Sequence, residues 1–135
     1  MSRGLVNDWR LPERVPPPGG EEASRFHRGL PGYAPTPVRS LPAVAAGLGL
    51  GAVLLKDESD RLGLPAFKIL GASWAVERTL RRDPTVRTLV AASAGNHGRA
   101  VARCAARRGL ACRIYLPAGS APARVEAIAV EGAEV

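Results

Sequence analysis

Residues 86–117, VRTLVAASAGNHGRAVARCAARRGLACRIYLP, decide the fold. The opening VRTLVAASA is a continuous apolar run of the kind that forms a buried strand, and NHGRAVARCAARRG sets alanine, valine and cysteine at helical spacing before a stop at Gly109. ACRIYLP is a second strand. A strand, a helix and a strand in immediate succession predict a βαβ unit with parallel strands.

The same alternation extends outward. Downstream, APARVEAIAVEG predicts a helix closed by Gly132, and AEV opens another strand. Upstream, YAPTPVRSLPAVAAGLGLGAVLLKDE gives a proline-rich turn, a short helix at 41–47 stopped by glycine and a strand at 53–57. Pro65 suits a first helical turn, and Ile69, Leu70, Ser73, Val76 and Leu80 follow at helical spacing to about residue 82. Lys68 therefore falls in the first turn. The class expected is α/β with a parallel sheet, and a sheet cut at Val135 as a strand begins reads as the amino-terminal piece of something longer. Residues 1–32, with Pro16-Pro17-Pro18-Gly19-Gly20 and no sustained period, read as a partly irregular extension, and 33–135 as the start of the domain.

Composition narrows the function classes. The chain has 135 residues, 46% of them hydrophobic, enough for one real core. Its net charge of +7 comes from scattered arginines with short pairs at Arg81-Arg82 and Arg107-Arg108, not from a basic stripe interleaved with aromatics, which argues against a nucleic-acid partner. No apolar run reaches membrane-spanning length, and the first residues lack the apolar core of a signal peptide, so the expected compartment is the cytoplasm and no membrane partner is expected. Cys104 and Cys112 read as buried thiols, with no second pair to complete a zinc site.

Two glycine-based readings fail on context. The run Gly47-Leu48-Gly49-Leu50-Gly51 ends a helix and precedes a strand, whereas a dinucleotide fingerprint follows a strand and opens a helix. Neither lysine has the glycines and hydroxyl of a phosphate loop around it. SAGNHG, residues 93–98, is better placed, between a strand and a helix, where ligands of open α/β sheets bind and the first free helical amides attract anions. Ser93 offers a hydroxyl and Asn96 a carboxamide, while Gly95 and Gly98 would let a carboxylate or phosphate approach the backbone. Equally, Ser93 or Asn96 could simply cap the helix. His97 fits either proton transfer or a structural hydrogen bond.

Lys68 stands out because the chain has 17 arginines and only two lysines. A surface charge is one reading. The other is an amine able to act as a nucleophile: the start of a helix is the positive end of its dipole, and apolar Phe67, Ile69 and Leu70 would desolvate the group, both disfavouring the ammonium.

Taken together, PTPV at 35–38, LLKDES at 54–59, AFKILGA at 66–72, SAGNHGRAVA at 93–102 and GAEV at 132–135 resemble, in order and spacing, the pyridoxal-phosphate enzymes of the tryptophan synthase β-subunit type, fold type II. The resemblance implies a three-layer parallel-sheet fold, pyridoxal 5'-phosphate as cofactor and a homodimer in the full-length protein. KDESDRLGLPAFKILGASWA looks most like the diaminopropionate ammonia-lyases, which convert 2,3-diaminopropionate to pyruvate and ammonia by α-proton abstraction and β-elimination. Lys68 then becomes the Schiff-base lysine and general base, Asn96 the partner of the pyridoxal 3-hydroxyl, and Ser93, Ala94, Gly95, Asn96 and His97 the loop for the carboxylate of a small amino-acid substrate.

Two departures bear on this. Ala94 stands where those lyases carry an acid associated with the D-isomer, which argues against D-substrates, and SAGNH is what threonine and serine dehydratases show. The family's glycine-rich phosphate loop and the residue facing the pyridine nitrogen lie beyond the stretch present, so the chain alone is expected to bind the cofactor incompletely and to be inactive. The alternatives are a dehydratase or β-replacement enzyme of the same fold, or a truncated non-catalytic binding protein.

Overall fold

The computed structural model describes residues 20–135. The elements in order are α1 (Glu21–Arg28), β1 (Val38–Ser40), α2 (Pro42–Leu48), β2 (Leu54–Lys56), α3 (Lys68–Arg82), β3 (Thr88–Ala92), α4 (Asn96–Arg107), β4 (Ala111–Tyr115) and α5 (Pro122–Ala129). β3 and β4 pair in parallel, Thr88 opposite Ala111 through Ala92 opposite Tyr115. Arg113 then bridges Glu134 in parallel, with the Ile114 N–H donating to the Glu134 carbonyl at 2.8 Å, so the expected strand at 133–135 does begin to pair.

Three features differ from the expectations. β1 and β2 form a separate antiparallel pair, Val38 opposite Lys56, so the strand expected at 53–57 lies outside the parallel sheet. Residues 21–28, within the stretch expected to be a partly irregular extension and given no helix there, are helical: Glu21 and Glu22 sit in the first turn and Arg25, His27 and Arg28 in the last, the arrangement the helix dipole favours. Residues 1–19 of that extension lie outside the described residues. Pro65 precedes helix α3, whose first residue is Lys68 itself.

The core lies where α3, α4 and α5 meet one face of the parallel pair. Ile69, Ala72 and Val76 of α3 pack with Ala100, Val101, Ala102, Cys104 and Ala105 of α4, and with Leu89, Cys112, Ile114 and Ile128. Fully burying each isoleucine contributes about 1.5–3 kcal/mol. Small residues on α4 let its backbone sit close, and the limiting point is Gly98: a Cβ there would lie 2.6 Å from the Ser93 carbonyl and 3.2–3.3 Å from Ile114 and Ile128. VRTLVAASA is accordingly not buried on both faces. Leu89 is buried and Val90 is 61% exposed, because among the described residues the helices pack on one face only. The glycine run behaves as expected, with Gly49 left-handed (φ 65°) at the end of α2.

A polar network anchors the segment that leads into α3. Arg61 is buried (6% exposed); its Nε and one terminal nitrogen donate to Glu58 at 2.8 and 2.7 Å. The same guanidinium donates to the Ala34 carbonyl and to Thr36 Oγ1, while Thr36 donates to Glu58 at 2.6 Å. The PTP segment is thus pinned to the KDES turn. Next to it Arg61 and Leu64 close a tight turn in which both Leu62 (φ 57°) and Gly63 (φ 79°) are left-handed, a conformation leucine rarely adopts. Leu64, 3% exposed, secures its far side. No helix among the described residues is long and apolar enough to cross a membrane.

Two consequences can be measured. Gly98→Ala should destabilise the chain by about 1–3 kcal/mol in urea unfolding, because the atom in the way is backbone and cannot swing aside. For pH, the Arg61 and Thr36 hydrogen bonds hold the Glu58 carboxyl at about 2 against an ordinary 4.5. Ser59 and Arg39 hold Asp57 at about 2 against 3.8. Folded values below the unfolded ones give stability that is present above about pH 4.5 and lost as the pH falls toward 2. The urea midpoint should be flat from neutral pH down to about 5 and drop below that, and Glu58→Gln should make the drop shallower while lowering the plateau.

Candidate active site

Connectivity brings the two motifs to one edge. α3 and α4 pack side by side, and the Glu77 carboxylate, well along α3, accepts from Arg108 just past the end of α4. The two helices therefore run in the same direction, opposite to β3. Their first turns, carrying Lys68 and Asn96, lie at the edge where β3 ends.

Lys68 is the first residue of α3 and is exposed. Its amine stands 5.0 Å from the centroid of the Phe67 ring, itself 56% exposed. The expected desolvation by Phe67, Ile69 and Leu70 is thus not what the structure has. Adjacent residues on a helix point in different directions, so Ile69 enters the core while Phe67 and Lys68 face outward. The first turn of α3 is steadied from behind: His27 Nε2 and Ser73 Oγ both donate to the Leu70 carbonyl, at 2.8 and 3.0 Å, and Phe26 packs on Trp74 at 5.3 Å.

At the start of α4 the capping alternative fails. Gly95 occupies the cap position with no side-chain cap bond, so neither Ser93 nor Asn96 satisfies the free amides of the first turn. Ser93 instead receives the Gly95 N–H on its hydroxyl at 3.4 Å and donates its own N–H to the Tyr115 carbonyl at 3.1 Å, which moors the loop to β4. Nothing lies within 4 Å of a Cβ built on Gly95, so the loop backbone is open there. Gly98 has the other role: it is buried, and its missing side chain serves packing, not ligand approach. Asn96 and His97 are exposed.

A cleft of about 370 Å³ runs along this loop, lined by Ala94, Gly95, Asn96 and Arg99 on one side and by Ala123, Arg124, Ala127 and Ile128 of α5 on the other. Lys68 does not line it. What reading the sequence missed is the charge beneath the loop. Glu131, whose side chain is 4% exposed, accepts from Arg99 at 2.9 Å and from Arg103. Burial pushes its carboxyl up and the Arg103 and Arg99 hydrogen bonds pull it down, with a net lowering. Arg99 and Arg103 sit one turn apart on α4, which is a signal of sorts, but their partner is about thirty residues away and nothing local marks it. Cys104 and Cys112 are free and buried as expected, and burial pushes the Cys104 thiol up to about 11, so neither competes as a nucleophile. Among the described residues no cluster of histidine, cysteine and carboxylates could hold a metal ion.

The edge thus offers an accessible primary amine at the start of α3 and, at the start of α4, a row of uncapped amides with an open backbone. An amine can bond a carbonyl, and such amides can hold an anion.

Comparison with known proteins agrees with this chemistry. Residues 30–135 match the family described as pyridoxal-phosphate dependent enzyme. The chain is 40% identical to the diaminopropionate ammonia-lyase of Salmonella typhimurium over 85% of its own length and 34% of the relative's. It is 33% identical to the biosynthetic L-threonine dehydratase of Escherichia coli over 74% of this chain and 19% of the other. The crystal structure of E. coli diaminopropionate ammonia lyase in complex with an aminoacrylate-PLP azomethine reaction intermediate superposes with a TM-score of 0.79 at 40% identity, covering 84% of this chain and 32% of that one. The chain spans about a third of the length of the ammonia-lyases it matches. With the lysine-bearing helix start, the open SAGNH loop and the α/β scaffold all in place, the chain belongs to the pyridoxal-phosphate dependent enzyme family, with the tryptophan synthase β-like fold.

Proposed function

We propose that this chain contributes the lysine-bearing, carboxylate-binding part of an ammonia-lyase that converts 2,3-diaminopropionate to pyruvate and ammonia. The observation that carries it is the uncapped, open first turn of α4 on the same edge as the exposed amine of Lys68. Pyridoxal phosphate fits the residues present: Lys68 offers an amine for its aldehyde, Asn96 a carboxamide for its ring hydroxyl, and Gly95 leaves room beside them. When bound, the cofactor supplies an electron-accepting ring for the carbanion formed at the substrate α-carbon.

The chain's own residues do the rest. The amides of Asn96 and His97, with the Ser93 hydroxyl and the open Gly95 backbone beside them, would hold the substrate carboxylate and so fix which α-bond faces Lys68. With the substrate so held, the Lys68 amine would accept the α-proton on its Nζ. The β-amino group departs with its bonding electrons and leaves as ammonia. Water hydrolyses what remains, so one water is consumed and two molecules of ammonia leave with each pyruvate.

A second reading is a threonine or serine dehydratase. Ala94, in place of the acid those lyases carry, and the identity to threonine dehydratase both favour it. The readings separate by which amino acid, 2,3-diaminopropionate or threonine, releases ammonia when supplied to the full-length enzyme that carries this stretch, loaded with pyridoxal phosphate. In either case Lys68→Ala should abolish the long-wavelength absorbance of the bound cofactor and lower turnover by about a hundredfold or more. A variant that kept the wild-type absorbance would sink the assignment.

A further inference from the structure

The Ser93–His97 loop is held from below by the buried carboxylate that joins α4 to the turn after α5. Arg99 is the link. Its backbone N–H donates to the Gly95 carbonyl at 3.2 Å and so closes the first turn of α4 on the middle of the loop. Its guanidinium donates to one oxygen of Glu131 at 2.9 Å, and Arg103, one turn further on, donates to the other oxygen. We propose that Glu131 is a positioning residue for the Ser93–His97 loop, acting through Arg99 to keep the loop amides aimed at a small carboxylate.

Three observations support this. Glu131 is, with Arg61, one of two buried charged residues among the described residues, and its carboxylate has a guanidinium on each oxygen, so neither oxygen is spare. The Nε of Arg99 is buried without a partner, so Glu131 supplies the contact that compensates that guanidinium's charge. Arg99 also lines the cleft with Ala94, Gly95 and Asn96, so any shift in its side chain is felt at the loop. Removing the carboxylate leaves two guanidinium groups, 24% and 27% exposed, gathered around a buried position with no counter-charge between them. Their repulsion would displace Arg99 and, through its backbone bond to Gly95, turn the first amides of α4 away from their common focus.

The inference rests on the reading of the loop as a carboxylate site, and one experiment separates the two. In the 15N-labelled full chain, amide exchange at Arg99 reports the bond to Gly95, exchange at Val76, buried in the middle of α3, reports the core, and acetate added as probe reports the loop through the Asn96 and His97 amides. In Glu131→Gln, Arg99 exchange should accelerate about tenfold relative to Val76 and acetate should bind about tenfold more weakly, with Glu131→Asp recovering most of both. Arg99 and Val76 accelerating together, or acetate binding unchanged or tightened, would overturn the proposal. If Glu131→Gln does not fold, Arg99→Met, which leaves Glu131 paired with Arg103, should show the same faster exchange at residue 99, and unchanged exchange would overturn it. Wild-type chain that binds no acetate at these amides would refute the carboxylate reading instead, and the exchange ratio would still decide the clamp.

Discussion

The closeness of α4 to the sheet at Gly98 is the constraint on which the site depends. With the Ser93 carbonyl 2.6 Å from where a Cβ would stand and Ile114 and Ile128 just beyond, the helix has one depth at which it can sit. That depth fixes where β3 ends, how sharply Ser93, Ala94 and Gly95 must turn, and where the first amides of α4 point. The run of alanines at 100, 102 and 105 carries the same close approach along the helix, and α3 then packs against α4 with Ile69, Ala72 and Val76. Lys68 is placed by this chain of contacts: it precedes Ile69, so it must emerge at the edge once Ile69 is buried.

Charge is used here for placement. A buried ion pair is weak evidence of net stability, since desolvation offsets most of the attraction. Arg61 with Glu58 and Thr36, and Glu131 with Arg99 and Arg103, nevertheless sit at the two approaches to the edge. The first pins the segment that leads through a strained turn at Leu62 into the lysine helix. The second underlies the loop. Each joins stretches far apart in sequence, which apolar contacts alone would leave free to slide.

Much of this was legible in the residues, for physical reasons. Helical spacing of alanine and valine after SAGN, and the glycines at 49, 109 and 132, all left-handed, mark α2, α4 and α5 and their ends. The βαβ alternation marks β3 and β4 as parallel. What was not legible depends on partners distant in sequence. β1 is three residues long and is a strand only because Leu54–Lys56 returns beside it. α1 is amphipathic but short, and it is held by Phe26 on Trp74 and His27 on the Leu70 carbonyl. Val90 reads as buried by composition, yet one face of its strand carries no helix among the described residues. The family motifs marked Lys68 and the SAGNH loop, whereas the exposure of Lys68, the packing role of Gly98 and the Glu131 cluster emerge only in three dimensions.

The central claim is that Lys68 carries the cofactor's carbonyl chemistry, and the composition makes it unusually direct to test. Lys56 is the one other lysine, and its amine donates to the Thr36 carbonyl at 2.5 Å on the antiparallel pair. Incubation of the protein with pyridoxal phosphate, reduction with borohydride and mass spectrometry of the peptides would locate the attachment. The account predicts the label predominantly on Lys68; label on Lys56 at an equal or greater level would contradict it.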